Sequence, residues 1–336
     1  MLCSVSDLGE HAIIDRIRRR AGDTVDRVLV GIGDDAAVYE AERNAAEVIT
    51  TDACVEGVHF DRAFVPPAAI GHRALAVNLS DLAGMGAVPR LATLSLILPD
   101  GWPVADLDAC LDGFMALAER TGVTLVGGNV TRSPSLLAID VTAVGHVHRR
   151  RILTRAGARP GDHVFVSGTL GGPRAGLAIC REGAAETAQA ASEAVARYLL
   201  PEPRLALGRA LGRTRAASAA VDLSDGLADG AQQIARASGV GVLLEAEALP
   251  VAPDVRAWYT SRGLDAGREA LIGGDDYELL FTVSPRALGR LRRLARGLSP
   301  DVTRIGIVTR EPGVRLRRGD GSEMPVEGGF EHFKRA

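Results

Sequence analysis

Lysine is almost absent from this chain of 336 residues: Lys334 is the only one, and the other 38 basic residues are arginines. That shortage excludes chemistry. A phosphate loop of the form GxxxxGK[ST] needs a lysine at the β- and γ-phosphates. A protein kinase needs one on a strand, and Schiff-base catalysis needs the amine itself. Only Lys334, next to the C-terminal end, is left for any of these roles. The bias reads as GC-rich coding, and the exclusion holds whatever its cause. Cysteine is scarce too. Cys3, Cys54, Cys110 and Cys180 are scattered with no CxxC pair, which argues for a reducing compartment and against a zinc site. No apolar run reaches the roughly 18 residues of a membrane span, and the N-terminus lacks a signal-peptide core. A cytoplasmic protein is expected. Charge is nearly balanced, 39 basic against 42 acidic residues for a net of −3. The basic stripe of a nucleic-acid binder is missing. Neither nucleic acid nor a membrane is an expected partner.

What is present is a folded composition, 46% hydrophobic and 24% charged, at a length that predicts two domains. Helices are expected at Ser6 to Ala21, Pro66 to Gly86, Val104 to Thr121, Gly226 to Ser238 and Pro285 to Gly297, with another starting at Pro173. Strands are expected between them, among them Glu47 to Thr51, Leu91 to Leu98, Leu136 to Val147, Val164 to Ser167, Ala219 to Leu223 and Glu278 to Val283. This alternation predicts an α/β (α+β) fold. The turn-rich stretch Arg155 to Asp162 is the boundary, giving domains 1–150 and 151–336.

The chemistry is expected where strands end in acid-rich turns. Five stand out: Gly31-Ile-Gly-Asp-Asp35, Thr50-Thr-Asp52, Asn78-Leu-Ser-Asp81, Asp222-Leu-Ser-Asp225 and Gly273-Gly-Asp-Asp276. A sixth, Gly127-Gly-Asn129, has an amide in place of the acid. Any one alone is an ordinary turn, because aspartate accepts hydrogen bonds from turn backbone. Together they raise a charge problem. Carboxylates gathered in one place repel each other until protons or cations intervene. Asp and Thr oxygens with water are the ligand set of Mg²⁺, which takes one or two carboxylates plus substrate phosphates. With no lysine to spare, a polyphosphate substrate implies several Mg²⁺ ions. Gly31-Ile-Gly33-Asp-Asp-Ala36 also fits the dinucleotide pattern GxGxxA. That pattern needs a helix next, and Ala-Val-Tyr-Glu is strand-like.

Taken in order along the chain, GIGDDAAV, TTDACVEGVHF, AVNLSDLAGMGAVP, VGGNVTR, DLSDGLADG, IGGDDYELLF and the terminal GGFEHF resemble the thiamine-monophosphate kinase family. That family is part of the aminoimidazole-ribonucleotide-synthetase-like ATP-binding superfamily. The resemblance covers nearly the whole chain. It implies two α/β domains, N-terminal sheets paired into a barrel in a homodimer, and nucleotide and metals in an interdomain cleft. It implies ATP-dependent phosphorylation of thiamine monophosphate to thiamine diphosphate. By position, Asp35, Thr50, Thr51, Asp52, Asp81, Asp222 and Asp225 resemble the family's Mg²⁺ ligands. Gly128, Asn129, Arg155 and Ser224 resemble its ATP contacts, and His59, Asp275 and Phe330 its substrate contacts. Two positions depart from the family pattern. Asn129, which is also a metal-ligand position, often holds aspartate, and Asp275 often holds glutamate. An asparagine oxygen can ligate, but without charge.

The implied acceptor is a phosphate oxygen. A phosphomonoester with a second pKa near ~6 is mostly dianionic at neutral pH. No general base is needed, and none is assigned. Two other functions fit some of the same motifs: a selenophosphate or aminoimidazole-ribonucleotide type of synthetase, and a non-catalytic nucleotide-binding dimer. A selenophosphate synthetase would show a cysteine or selenocysteine and a Gly-rich N-terminus, a context that Cys3 lacks. The second would use Asn129 as its sign of decay, yet the other acidic turns are intact.

Overall fold

A computed structural model describes residues 4–22, 27–33, 35–183, 188–297, 301–326 and 328. The chain divides into two compact units, Met1–Leu82 with Val88–Arg149, and Ala83–Ala87 with Arg150–Ala336. Both are mixed α/β, the class read from the alternation.

The first unit opens with α1 (Val5–Leu8) and α2 (Glu10–Ala21). A single helix was expected here, but Gly9 takes φ 76° and breaks it. Ile13 and Ile17, one turn apart, are the buried stripe of α2. A short antiparallel hairpin follows, β1 (Val28–Val30) with β2 (Val38–Tyr39). Then come β3 (Ala45–Val55), α3 (Pro67–Gly84), β4 (Val88–Pro99), α4 (Val104–Thr121), β5 (Thr124–Ser133) and β6 (Ala138–His148). The strands form a four-stranded sheet in the order β3-β6-β4-β5, with only β4–β5 parallel. Helices α3 and α4 cross backbone to backbone through glycine. A Cβ on Gly71 would lie 1.8 Å from the Cys110 carbonyl oxygen, and one on Gly113 1.9 Å from that of Ala68.

Helix α3 lies on one face of this sheet; Leu82 sits 3.3 Å from where a Cβ on Gly145 would stand. The strand β6 shows the division by alternation. Ile139, Val141 and Ala143 are buried, while Asp140, Thr142 and Val144 are half-buried on the other face. One end of that second face is closed by the hairpin, where Val28 packs with Leu91 and Val126.

The second unit is built on seven strands. In chain order its elements are β7 (His163–Ser167), α5 (Gly172–Glu182), α6 (Ala188–Leu199), α7 (Leu205–Thr214), β8 (Ala219–Asp222), α8 (Leu227–Ser238) and β9 (Gly241–Glu245). After these come α9 (Pro253–Ser261), α10 (Ala266–Ile272), β10 (Leu279–Val283), α11 (Leu288–Ala295), β11 (Val302–Thr309), β12 (Gly313–Arg317) and β13 (Glu323–Pro325). The sheet order is β13-β12-β9-β11-β7-β10-β8, antiparallel except for β12–β9. Apolar side chains cover both faces. Leu170, Ile234 and Leu280 belong to one core, and Leu207, Leu211 and Phe281 to the other. That is why β10 reads Leu-Leu-Phe-Thr-Val without polar alternation, with all five residues buried.

Candidate active site

In the first unit, three of the expected turns are not turns, and at two of them the expected strand Glu47 to Thr51 and helix Pro66 to Gly86 run on instead. Thr50, Thr51 and Asp52 lie in the middle of β3, and Asn78 to Asp81 lies inside α3. Gly127-Gly-Asn129 is also strand, with a register shift beside Gly127. Short polar residues favour turns, but here packing overrides the local preference. Leu75, Leu79 and Leu82 are fully buried and keep α3 helical through the Asn-Leu-Ser-Asp run. Gly128 carries its own requirement. Its φ is 157°, and a Cβ there would lie 1.9 Å from the Leu94 carbonyl oxygen.

Being strand divides the expected ligands between the two sheet faces, since successive side chains point oppositely. Thr50 faces α3, where its hydroxyl donates to Asp81. Asp52 shares that face, two residues on. Thr51 is on the other face, accepting from the Thr142 hydroxyl at 3.1 Å and donating to the Val141 carbonyl at 3.2 Å. Asn129 is on the face with Thr51, because its row runs Asn129–Ser95–Asp140–Ala53 across the four strands. Asp140 was missed by the sequence reading. Its Oδ1 lies 3.4 Å from the Thr51 hydroxyl. The signal was available, the lone acid on the half-buried phase of an alternating strand.

Asp35 is exposed near the tip of the β1–β2 hairpin. His59 sits in the turn after β3. Its Nδ1 accepts the Val55 N–H at 3.0 Å, so the neutral ring carries its proton on Nε2.

In the second unit the expected loops are loops, and they are zipped together. Leu223 N–H donates to the Glu278 carbonyl at 2.8 Å, Tyr277 N–H to Leu223 at 2.9 Å, and Asp275 N–H to Ser224 at 2.7 Å. This ladder brings Asp222, Ser224, Asp225 and Asp275 into one short stretch. Glycine makes the approach possible. A Cβ on Gly274 would meet the Ser224 carbonyl at 2.7 Å, and one on Gly226 that of Gly273 at 2.6 Å. Asp222 is buried at the end of β8, with Gly84 packed on its backbone. Arg155 stands apart, beside the start of β8: the neighbouring Thr154 carbonyl accepts from Ala220. Phe330 lies outside the described residues.

Asp275 and Tyr277 hold φ of 68° and 49°, left-handed backbone that costs a residue with a side chain about 1 kcal/mol or more. Something must hold it there. The alternate residues, Asp276 and Glu278, point the other way into a charged cluster that sequence reasoning did not find. Glu278 is fully buried and takes a two-pronged hydrogen bond from Arg204, at 2.7 and 2.6 Å. Ser167 donates to it at 2.6 Å, and Arg197 at 3.3 Å. Asp276 accepts the Gly171 N–H at 2.9 Å. A cavity of about 450 Å³ opens onto Arg197 and Arg204, so water reaches the arginines from one side.

Burial, first of all, pushes the Asp276 carboxyl well above the usual carboxylate range; Arg197 opposes this and Glu278 adds to it. The folded chain then holds a proton that the unfolded chain releases near pH ~3.9. Stability is lost as pH rises through that window. Asp276→Asn carries no such proton and keeps an acceptor for Gly171. The melting temperature of the variant, minus that of the wild type, is expected to grow by a few degrees from about pH 4 to about pH 8. Thermal unfolding at both pH values checks this, and a constant difference would refute it.

The donors at the expected metal positions are all oxygen, which fits Mg²⁺ and not a softer ion. Among the described residues, no group of three His, Cys, Asp or Glu side chains converges to hold a metal by itself. Mg²⁺ does not require one, since it keeps waters and borrows phosphate oxygens. No helix among the described residues is long and apolar enough to cross a membrane.

The chain is similar to known proteins along nearly its whole length. The model for the AIR synthase related protein N-terminal domain matches residues 33–147, and that for the C-terminal domain matches 159–319. The thiamine-monophosphate kinase of Synechococcus elongatus is 38% identical over 336 residues, 98% of each chain. The crystal structure of thiamine-monophosphate kinase from Stenotrophomonas maltophilia K279a is 40% identical with a TM-score of 0.82, covering 96% of this chain and 99% of that one. A second solved structure, AaThiL complexed with AMPPCP and TMP, is 34% identical with a TM-score of 0.78, covering 98% of each chain. The chain belongs to the AIR synthase related proteins and, within them, to the thiamine-monophosphate kinase family.

Proposed function

We propose that this chain transfers the γ-phosphoryl group of ATP in line to thiamine monophosphate, giving ADP and thiamine diphosphate, with Mg²⁺ neutralising the phosphates. The observation that carries the activity is likeness to thiamine-monophosphate kinases along almost the whole chain, including one solved with AMPPCP and TMP. Asp35, Thr50, Thr51, Asp52, Asp81 and Asn129 of the first unit, and Asp222 and Asp225 of the second, are the proposed metal donors. Gly128, Asn129, Arg155 and Ser224 are the proposed ATP contacts. His59, Asp275 and Phe330 are the proposed contacts to thiamine monophosphate. A homodimer paired through the N-terminal sheets, and a cytoplasmic location where ATP is supplied, go with this reading.

The residues have little covalent work to do, because phosphoryl transfer is loose and depends on positioning and charge. Bound Mg²⁺ supplies charge neutralisation on the transferred group. The carboxylates would hold it, and without it they would repel both anionic substrates. Thr50 fixes the Asp81 carboxylate through its hydroxyl. The acceptor phosphate is already ionised, so no side chain takes its proton. Incubating the chain with Mg²⁺, ATP and thiamine monophosphate is expected to yield thiamine diphosphate, and chelating Mg²⁺ to abolish it. ATP turnover only with another acceptor would overturn the substrate, and nucleotide binding without turnover would overturn the activity.

A further inference from the structure

We infer that Tyr277 is a positioning residue for substrate, setting the direction of the Asp275 carboxylate. This rests on the reading of Asp275 as a contact to thiamine monophosphate. The Tyr277 hydroxyl donates to Asp275 Oδ1 at 3.0 Å, and only 6% of the Tyr277 surface is exposed. A packed aromatic ring has few rotamers, so its hydroxyl is a fixed point. Aspartate has one methylene and a carboxyl that spins broadly. A hydrogen bond from a fixed donor to one oxygen removes that freedom and sets the direction of the whole carboxylate.

The backbone supports the same assignment. Both residues are left-handed, at φ 68° and 49°, and both are pinned by the ladder to Ser224 and Leu223. Residues 276 and 278 are anchored on the opposite side by Gly171 and by Arg204. The segment is therefore held at every second residue by a charged cluster, and the intervening pair is presented together. Strain of this kind gathers where a side chain must be aimed. A carboxylate repels the phosphate end of thiamine monophosphate. Asp275 is therefore assigned to the thiamine moiety, to the amino group of the pyrimidine at the far end or to the cationic thiazolium ring that lies between it and the phosphate.

The test uses the full chain, with steady-state kinetics and thermal unfolding. Tyr277→Phe keeps the ring and removes only the hydroxyl. It is expected to raise KM for thiamine monophosphate about tenfold, with kcat, KM for ATP and melting temperature nearly unchanged. In a chain already carrying Asp275→Ala, the same change is expected to add nothing, because coupled residues are not additive. An unchanged KM for thiamine monophosphate in Tyr277→Phe would overturn the inference. So would a parallel loss in every parameter together with melting temperature, the mark of a structural role. If Asp275→Ala alone leaves that KM unchanged, the reading of Asp275 fails first, and the inference falls with it. If Asp275→Ala raises KM and Tyr277→Phe does not, only the inference fails.

Discussion

Asp81→Asn is expected to lower kcat by a factor of about 100 or more in saturating Mg²⁺ and ATP, while the protein remains folded. The change is nearly isosteric, and the asparagine oxygen can still accept from the Thr50 hydroxyl. Asp81 is half-buried near the C-terminal end of α3, where the helix is held by fully buried Leu79 and Leu82. What the variant loses is a negative charge in a chain with a single lysine. If carboxylates recruit the cations that neutralise the phosphates, charge is the property that matters. Turnover measured across a Mg²⁺ titration checks this. Near-normal kcat at all Mg²⁺ concentrations would refute the role of Asp81, and full rescue at high Mg²⁺ would limit it to affinity.

The second large effect is on stability. Glu278→Ala is expected to destabilise the second unit by about 3 kcal/mol, because it leaves two part-buried arginines without the buried anion they pair with. The lower end of the range applies, since the Arg197 and Arg204 side chains remain 18% and 19% exposed and the cavity beside them admits water. For a unit of this size the melting temperature should fall by roughly 10 °C. Glu278→Gln keeps the acceptor for Ser167 and should lose less. The ladder partner of Leu223 is the backbone carbonyl of Glu278, which both variants keep, so the loss is confined to the side-chain cluster. Calorimetry on both variants checks the order. A melting temperature within a degree or two of wild type for Glu278→Ala would show that the cluster contributes little.

Much of the fold was legible in local pattern. α4 was read to the residue as Val104 to Thr121, because Leu107, Cys110, Leu111, Phe114 and Leu117 repeat at helical spacing and Gly122 closes the end. β6 and β10 were legible for similar reasons, one as alternation and one as a continuous apolar run. The failures share a cause. Thr50 to Asp52 and Asn78 to Asp81 look like turns because their side chains are short and polar. The wider apolar pattern places them in or at the end of strand Glu47 to Thr51 and in helix Pro66 to Gly86, and the structure follows that pattern, because the buried neighbours outweigh the local turn preference. The break at Gly9 was missed because a glycine inside an amphipathic pattern does not reveal its φ.

The sequence by itself determined the chemistry available to this protein. It has a single lysine, Lys334, no CxxC pair for zinc, and many aspartates beside glycine. That composition points to oxygen donors and hard cations. The family segments, in order along the chain, carried the activity. Tertiary structure decided which of those residues stand together. Strand geometry put Thr50 and Asp52 on one face of the first sheet, and Thr51, Asn129 and the unsuspected Asp140 on the other. The backbone ladder joined residues 222–226 to 273–278 across about fifty positions of sequence. The cluster of Glu278, Arg197 and Arg204 draws its partners from three separate segments. No periodicity marks such pairs, because a buried charge is matched by whatever the fold brings within hydrogen-bonding distance.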